Sequence, residues 1–169
     1  MLDESYATTT FTRTHGRCPV DQRLRQHVPA GHWKRLTILG AIHVNGVVTA
    51  ATVDAATDAE VFRTFVDDFL IPKLRPGMVV VMDDLAAHKV CGVKESLQAA
   101  GCRAVYLPPY SPDMSPIEPI WSKAKSVIRT LQARTPEDLE AAVTLAMDDV
   151  TAEDCRNCFA DCDYSLHLK

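Results

Sequence analysis

Met78-Val79-Val80-Val81-Met82-Asp83 is the stretch on which the fold turns: five apolar residues without alternation, ended by an acid. Such a run suits a strand buried on both faces of a sheet. Upstream, Thr57-Asp58-Ala59-Glu60 reads as a capping box. Val61, Phe62, Phe65, Val66, Phe69 and Leu70 continue it as one apolar helical stripe, which Pro72, Pro76 and Gly77 end. Earlier still, the β-rich runs Leu36–Val44 and Val47–Val53 are joined by Asn45-Gly46, a favoured two-residue hairpin turn. A strand at Asp3 and a further strand precede that hairpin.

Downstream, a helix is expected from near His88 to Ala100, with Val90, Val93 and Leu97 inward and Gly101 as its left-handed cap. Arg103–Leu107 reads as a short strand stopped by Pro108-Pro109. Ser115 then caps a helix with Pro116 in its first position, and Ile117, Ile120, Trp121, Ala124, Ile128 and Leu131 mark its buried face. Thr135-Pro136 opens another helix to about Val150, and Thr151 a last short one. Antiparallel strands followed by alternating strands and helices make an α/β chain, a mixed sheet flanked by helices. Asp83 falls at the carboxyl end of a central strand, where open α/β sheets bind ligands.

The 169 residues suit one domain with a real core. With 47% hydrophobic and 24% charged residues, no repeat and no low-complexity tract, the composition is that of a globular protein. No apolar run approaches a membrane span, and Met1-Leu2-Asp3-Glu4 lacks the pattern of a signal peptide. A cytosolic protein with reduced thiols is expected. The net charge of −4 weighs against a nucleic-acid partner, but its distribution matters more. Arg13, Arg17, Arg23, Arg25, Lys34 and Arg35 stand against one acid, Asp21, and Lys123, Lys125, Arg129 and Arg134 follow Glu118. Solvated faces explain either group; beside a carboxylate cluster they equally suit phosphate contacts.

Thirty-four residues (84–117) lie between Asp83 and Glu118, and Asp3 stands near the start. Clustered carboxylates repel and raise one another's pKa unless cations fill the cluster. Mg²⁺ takes oxygen ligands and keeps several waters, so a few carboxylates and a substrate phosphate suffice. Two ions ~3.5–4 Å apart stabilise both the attacking and leaving oxygens of an in-line displacement. Each acid also has a plainer reading: Asp83 as a strand-end turn residue, Asp3 as a loose terminus, and Glu118 as the back-bonding member of a Ser115-Pro116-Ile117-Glu118 capping box. Helix pattern alone favours the cap. Against it, positions 118, 122, 125 and 129 share a helix face, which sets Glu118 in line with Lys125 and Arg129.

Val80-Val81-Met82-Asp83-Asp84-Leu85-Ala86-Ala87-His88-Lys89 resembles the second-aspartate motif of bacterial insertion-sequence transposases of the mariner superfamily, insertion-sequence 630 type. Leu107-Pro108-Pro109-Tyr110-Ser111-Pro112-Asp113-Met114-Ser115-Pro116-Ile117-Glu118 resembles that family's third-acid motif, and Asp3-Glu4-Ser5 its first. The resemblance runs from about Asp3 to Tyr164. It implies a ribonuclease-H-like fold with a mixed five-stranded sheet. It also implies a DDE endonuclease that cuts transposon ends and joins them to target DNA with two Mg²⁺ ions, for which Mn²⁺ substitutes. Carried across, Asp3, Asp83 and Glu118 become the catalytic acids and metal ligands. Asp84 and His88 stand behind them, and Lys89, Lys123, Lys125 and Arg129 are DNA-phosphate candidates. A homodimer on DNA in the bacterial cytoplasm, associated with the nucleoid, is the implied setting. Asp84 replaces a usual Asn, and would sit 33 residues from Glu118 instead of 34; Ser115 replaces another Asn, and both residues cap helices. The family's N-terminal helix-turn-helix does not precede Asp3. Residues 1–169 therefore read as a single catalytic domain with a short first strand, whose end-reading portion is separately encoded. Two alternatives stand beside this: an inactive remnant that at most associates with DNA or a partner, and another metal-dependent nuclease of the same fold.

Cys155-x₂-Cys158-x₃-Cys162 with His167 has only one pair at zinc-site spacing, so small buried thiols are the preferred reading. Trp33 and Trp121 read as packing residues.

Overall fold

The computed structural model describes residues 1–83 and 92–164. Its strands are β1 (Leu2–Thr8), β2 (Arg35–His43), β3 (Gly46–Val53), β4 (Val79–Met82) and β5 (Arg103–Tyr106). Its α-helices are α1 (Ala59–Thr64), α2 (Val93–Ala99), α3 (Ile117–Leu131), α4 (Pro136–Asp148) and α5 (Ala152–Asp161). β1, β2 and β3 form an antiparallel ladder in that order, while β4 and β5 pair in parallel. β1 packs beside β4, so a three-stranded and a two-stranded sheet lie side by side where one five-stranded sheet was expected. The ribonuclease-H-like arrangement expected from the sequence is formed.

Alternation along the strands divides the core between the two faces of this layer. Leu36, Ile38 and Ile42 of β2 face α3, α4 and α5, joining Ile117, Ile120, Ile128, Leu139 and Phe159. Leu39 and Ala41 face the other way, onto Phe62, Val66, Leu70, Val93 and Leu97. Val80 and Met82 of β4 belong to this second cluster, and Val81 packs against the first. Fully burying an aliphatic or aromatic side chain contributes about 1.5–3 kcal/mol, so both faces are strongly held.

Several local expectations are corrected. The segment between β1 and β2 contains no strand; it is rich in cations, is exposed nearly throughout, and its ends meet where Thr9 N–H donates to the Lys34 carbonyl at 3.0 Å. The hairpin turn lies one residue earlier than Asn45-Gly46. His43 pairs with Gly46, leaving Val44-Asn45 as the loop, and Gly46 takes φ 123°, open to glycine alone. A register shift between Ala41 and Ile42 absorbs the offset. Asp58, not Thr57, caps α1, its Oδ1 accepting the Glu60 and Val61 N–H groups at 3.0 and 2.9 Å. Helix continues past α1 as a π-helical turn, Phe65–Leu70, and a 3₁₀ turn, Ile71–Lys73, that admits Pro72 near its start. Leu131 is exposed rather than buried, because Gln132 at φ 52° ends α3 there.

Gly101 has the expected positive φ after α2, and Val93 and Leu97 are fully buried. Val90 and the proposed helix start at His88 lie outside the described residues. Thr135 caps α4 by accepting the Asp138 N–H, and Thr151 forms a capping box with Asp154 on α5. No helix among the described residues is long and apolar enough to cross a membrane.

Candidate active site

Three chain segments deliver the three acids to one cleft of about 420 Å³, lined by Asp3, Asp83 and Glu118 together with Leu107–Pro112 and Ser115. Asp83 follows the last residue of β4. Beside it, the Leu107 N–H donates to the Met82 carbonyl at 2.8 Å and carries the Pro108-Pro109 segment over the same sheet end. Asp3 is the second residue of β1, opposite Gly40 of β2. It is not a loose terminus, since only 7% of it is exposed.

Burial raises the Asp3 carboxyl to about 6. Backbone and Trp121 hydrogen bonds oppose the rise, while the charges of Asp83 and Glu118 add to it. The indole Nε1–H of Trp121 donates to Asp3 Oδ2 at 3.0 Å in a buried hydrogen bond. This fixes one oxygen and the rotamer of the acid. Room for the indole comes from Gly40: a Cβ there would stand 2.5 Å from Trp121 Cη2. Trp121 is thus a packing residue, as read from the sequence, and also a hydrogen-bonding brace. Its role had no local signal, because Asp3 and Trp121 are 118 positions apart.

Glu118 is released from the capping box that helix pattern favoured. The 3₁₀ turn Pro112–Met114 supplies another acceptor, and the Ser115 N–H donates to the Pro112 carbonyl at 3.0 Å. No side chain caps α3, and the exposed Glu118 side chain lines the cleft. Tyr110, fully exposed with φ 58°, sits at the cleft mouth.

The cations behave differently from one another. Lys123 donates to Asp154 Oδ2 at 2.7 Å and to the Asp149 carbonyl at 2.8 Å. It ties α3 to the α4–α5 junction and is committed there, whatever its sequence position suggested. Lys125 is half-buried; burial holds its ammonium below the usual lysine range, with Glu118 and Asp3 pulling upward and Arg129 downward. Arg129 lies one turn further along α3. Asp84, His88 and Lys89 lie outside the described residues.

Among the described residues no three His, Cys, Asp or Glu side chains converge tightly enough to hold an ion as they stand. The acids share a cleft, and the charges of Asp83 and Glu118 act on Asp3. The donor set itself, carboxylate oxygens around a buried and charge-destabilised Asp3, fits a hard divalent ion such as Mg²⁺ or Mn²⁺. The cysteines of α5 follow the thiol reading: Cys155 and Cys158 are buried, and burial pushes Cys155 up to about 11.

The fold recurs in solved transposases. A Mos1 transposase paired-end complex with left transposon end superposes with a TM-score of 0.74 at 12% identity, over 95% of this chain and 51% of that one. A Mos1 mariner paired-end complex with Mn gives 0.68 at 12%, over 95% and 52%. The catalytic domain of Mos1 mariner transposase gives 0.62 at 11%, over 95% and 76%. The chain thus spans about half the length of the full transposases it matches. No curated protein sequence matches it. A family model described as DDE superfamily endonuclease matches residues 1–140, most of the chain, and the protein belongs to that family.

Proposed function

We propose that this chain is the catalytic domain of a DDE transposase, with Asp3, Asp83 and Glu118 as its metal ligands and catalytic acids. The substrate is DNA, at the ends of an insertion sequence and at its target, and the reaction is strand cleavage followed by strand transfer. One observation carries the reading: β1, the end of β4 and the start of α3 each bring an acid to the same cleft, and Glu118 is free of the capping role that helix pattern offered it.

When bound, divalent ions would supply charge stabilisation at the attacking and leaving oxygens of a phosphodiester. The chain's own residues prepare the place. Trp121 holds Asp3 in one orientation, burial under α3 keeps water from one side of it, and Lys125 offsets part of the negative charge between Glu118 and Asp3. Leu107–Pro112 forms a wall of the cleft, and its prolines restrict the backbone there. End recognition by a helix-turn-helix portion, a homodimer on paired ends, and a place on the bacterial nucleoid in the cytoplasm complete the proposal.

The test is thermal unfolding with and without Mn²⁺ for the wild-type chain, Asp83→Asn and Glu118→Gln. Ligand at 100 times its dissociation constant adds ~2.7 kcal/mol, roughly 5–10 °C for a chain of this length. The expected result is a wild-type increment that both variants lose, followed by Mn²⁺-dependent nicking and joining of end-containing DNA. A folded wild type without any increment would sink the metal assignment and leave a remnant. Hydrolysis without joining would assign a nuclease.

A further inference from the structure

Beyond the carboxylates, β1 runs on to Tyr6, whose ring gathers two cations. The Arg35 guanidinium carbon lies 4.3 Å from the ring centroid and Lys125 Nζ 5.0 Å from it. Phe11 stands 6.3 Å from Tyr6, tilted by 58°, and carries Arg129 with its guanidinium carbon 4.9 Å from the ring centroid. Cations and rings therefore interleave, and two of the cations, Lys125 and Arg129, share the α3 face that also bears Glu118.

The array is built in rather than draped on the surface. Arg134 Nη1 donates to the carbonyls of Thr9 and Phe11 at 2.8 and 3.0 Å, fastening the strand end that carries Phe11 to the C-terminus of α3. Thr9 and Lys34 close the base of the long basic loop beside it. Among the described residues, side-chain ion pairs form at Arg63 and Lys123, while no carboxylate of those residues reaches Arg35, Lys125 or Arg129 within salt-bridge distance. Three like charges held together repel; Glu118 and Asp3 offset only part of the charge on Lys125, and ring quadrupoles compensate only in part. A chain of anions would relieve that repulsion. Glu4 and Asp54 line the depression next to Arg35 and set the limit of the array on that side.

We propose that Arg35, Lys125 and Arg129, arrayed on Tyr6 and Phe11, form a track for the phosphodiester backbone of the DNA strand entering the cleft, indifferent to its bases. The proposal rests on the nucleic-acid reading above and deepens it. Exposed aromatics beside a nuclease site are commonly stacking platforms for bases. Here the rings are engaged by the chain's own cations, so they organise charge instead of reading sequence. Contacts to phosphate position a strand without carrying sequence information.

The experiment is fluorescence anisotropy with two unrelated labelled 20-mer DNA duplexes, in EDTA, across a salt series. The full chain is compared with Arg35→Ala, Lys125→Ala, Arg129→Ala and, as a cation at the opposite end of the sheet, Arg103→Ala. Each ridge variant is expected to lose affinity equally on both duplexes and to lower the salt slope by about 0.9 per contact removed. Arg103→Ala should leave the slope unchanged. Tyr6→Phe, which keeps a ring, should retain wild-type binding, and Tyr6→Leu should weaken it with the slope intact. Melting curves identify any variant that fails to fold, for which Arg35→Lys or Arg129→Lys, expected to keep the slope, takes its place. Unchanged slopes in all three ridge variants, or losses that differ between the duplexes, overturn the track. If DNA binds and Mn²⁺-dependent cleavage persists in such variants, the track alone is wrong. If the wild type binds no DNA at all, the nucleic-acid reading falls with it.

Discussion

Asp3 pays for its position in the core with a carboxyl whose charged form is disfavoured, and two neighbours hold that arrangement in place. Trp121 supplies the hydrogen bond, and Gly40 supplies the space for Trp121. Gly40 has no positive φ, so its identity follows from the close approach of the indole and not from backbone conformation. Gly40→Ala is therefore expected to act through overpacking, costing roughly 1–3 kcal/mol. In a melting experiment that is about 3–10 °C for a chain of this length. The same variant should lose part of its Mn²⁺ increment, because displacing the indole frees the Asp3 rotamer; a full increment with an unchanged melting temperature would exclude the brace. None of this was legible in the local sequence. Trp121 falls on the apolar stripe of α3 and reads as core, and only the fold shows which acid lies against it.

At the scale of elements, α3 is anchored by two kinds of force. Ile117, Ile120, Ala124 and Ile128 bury its apolar face, and Lys123 ties it to the α4–α5 junction through Asp149 and Asp154. The hydrogen bond from Lys123, with the capping bonds of Thr151, holds the Asp154 carboxyl down at about 2. Its unfolded value is ~3.9. The sign follows: a depressed carboxylate pKa contributes stability that is present above about pH 4 and lost as pH falls towards 2. Asp154→Asn is expected to melt below wild type by a constant margin at pH 5–8. That margin should narrow steadily between pH 4 and pH 2, as calorimetry would show. Most elements could be read beforehand: β4 from its unbroken apolar run, α3 from its 3.6-residue period, α4 and α5 from Thr135 and Thr151. The hairpin was one residue out because the shift at Ala41 and Ile42 has no sequence signature. Glu118 was misjudged in isolation because its cap competes with a 3₁₀ turn that only the folded loop provides. The π-helical turn at Phe65–Leu70 keeps an apolar stripe indistinguishable from an α-helix's.

For the molecule as a whole, the sheet separates two hydrophobic clusters that share its strands. Leu39 and Ile38 are neighbours in β2, yet they belong to opposite faces. Phe62 and Ile128 are each at most 1% exposed, one in each cluster. Truncating either to Ala should cost about 2–5 kcal/mol. Because the strands are common to both clusters, either variant should lower one shared transition by roughly 5–20 °C, with near- and far-ultraviolet circular dichroism melting together. Separate transitions would mean that the faces fold as independent units.

The indole that braces Asp3 also makes the site optically legible. Trp33 and Trp121 are the chain's two tryptophans, and Trp33 is 63% exposed while Trp121 is 2% exposed. In a Trp33→Phe background, emission would come from a single fluorophore bonded to the very acid proposed to receive the metal. Mn²⁺ arriving at Asp3 should quench that emission through its unpaired electrons, and Mg²⁺ competing for the same acid should restore the light. The protein thus carries, in its own sequence, a probe placed one hydrogen bond from its proposed metal site.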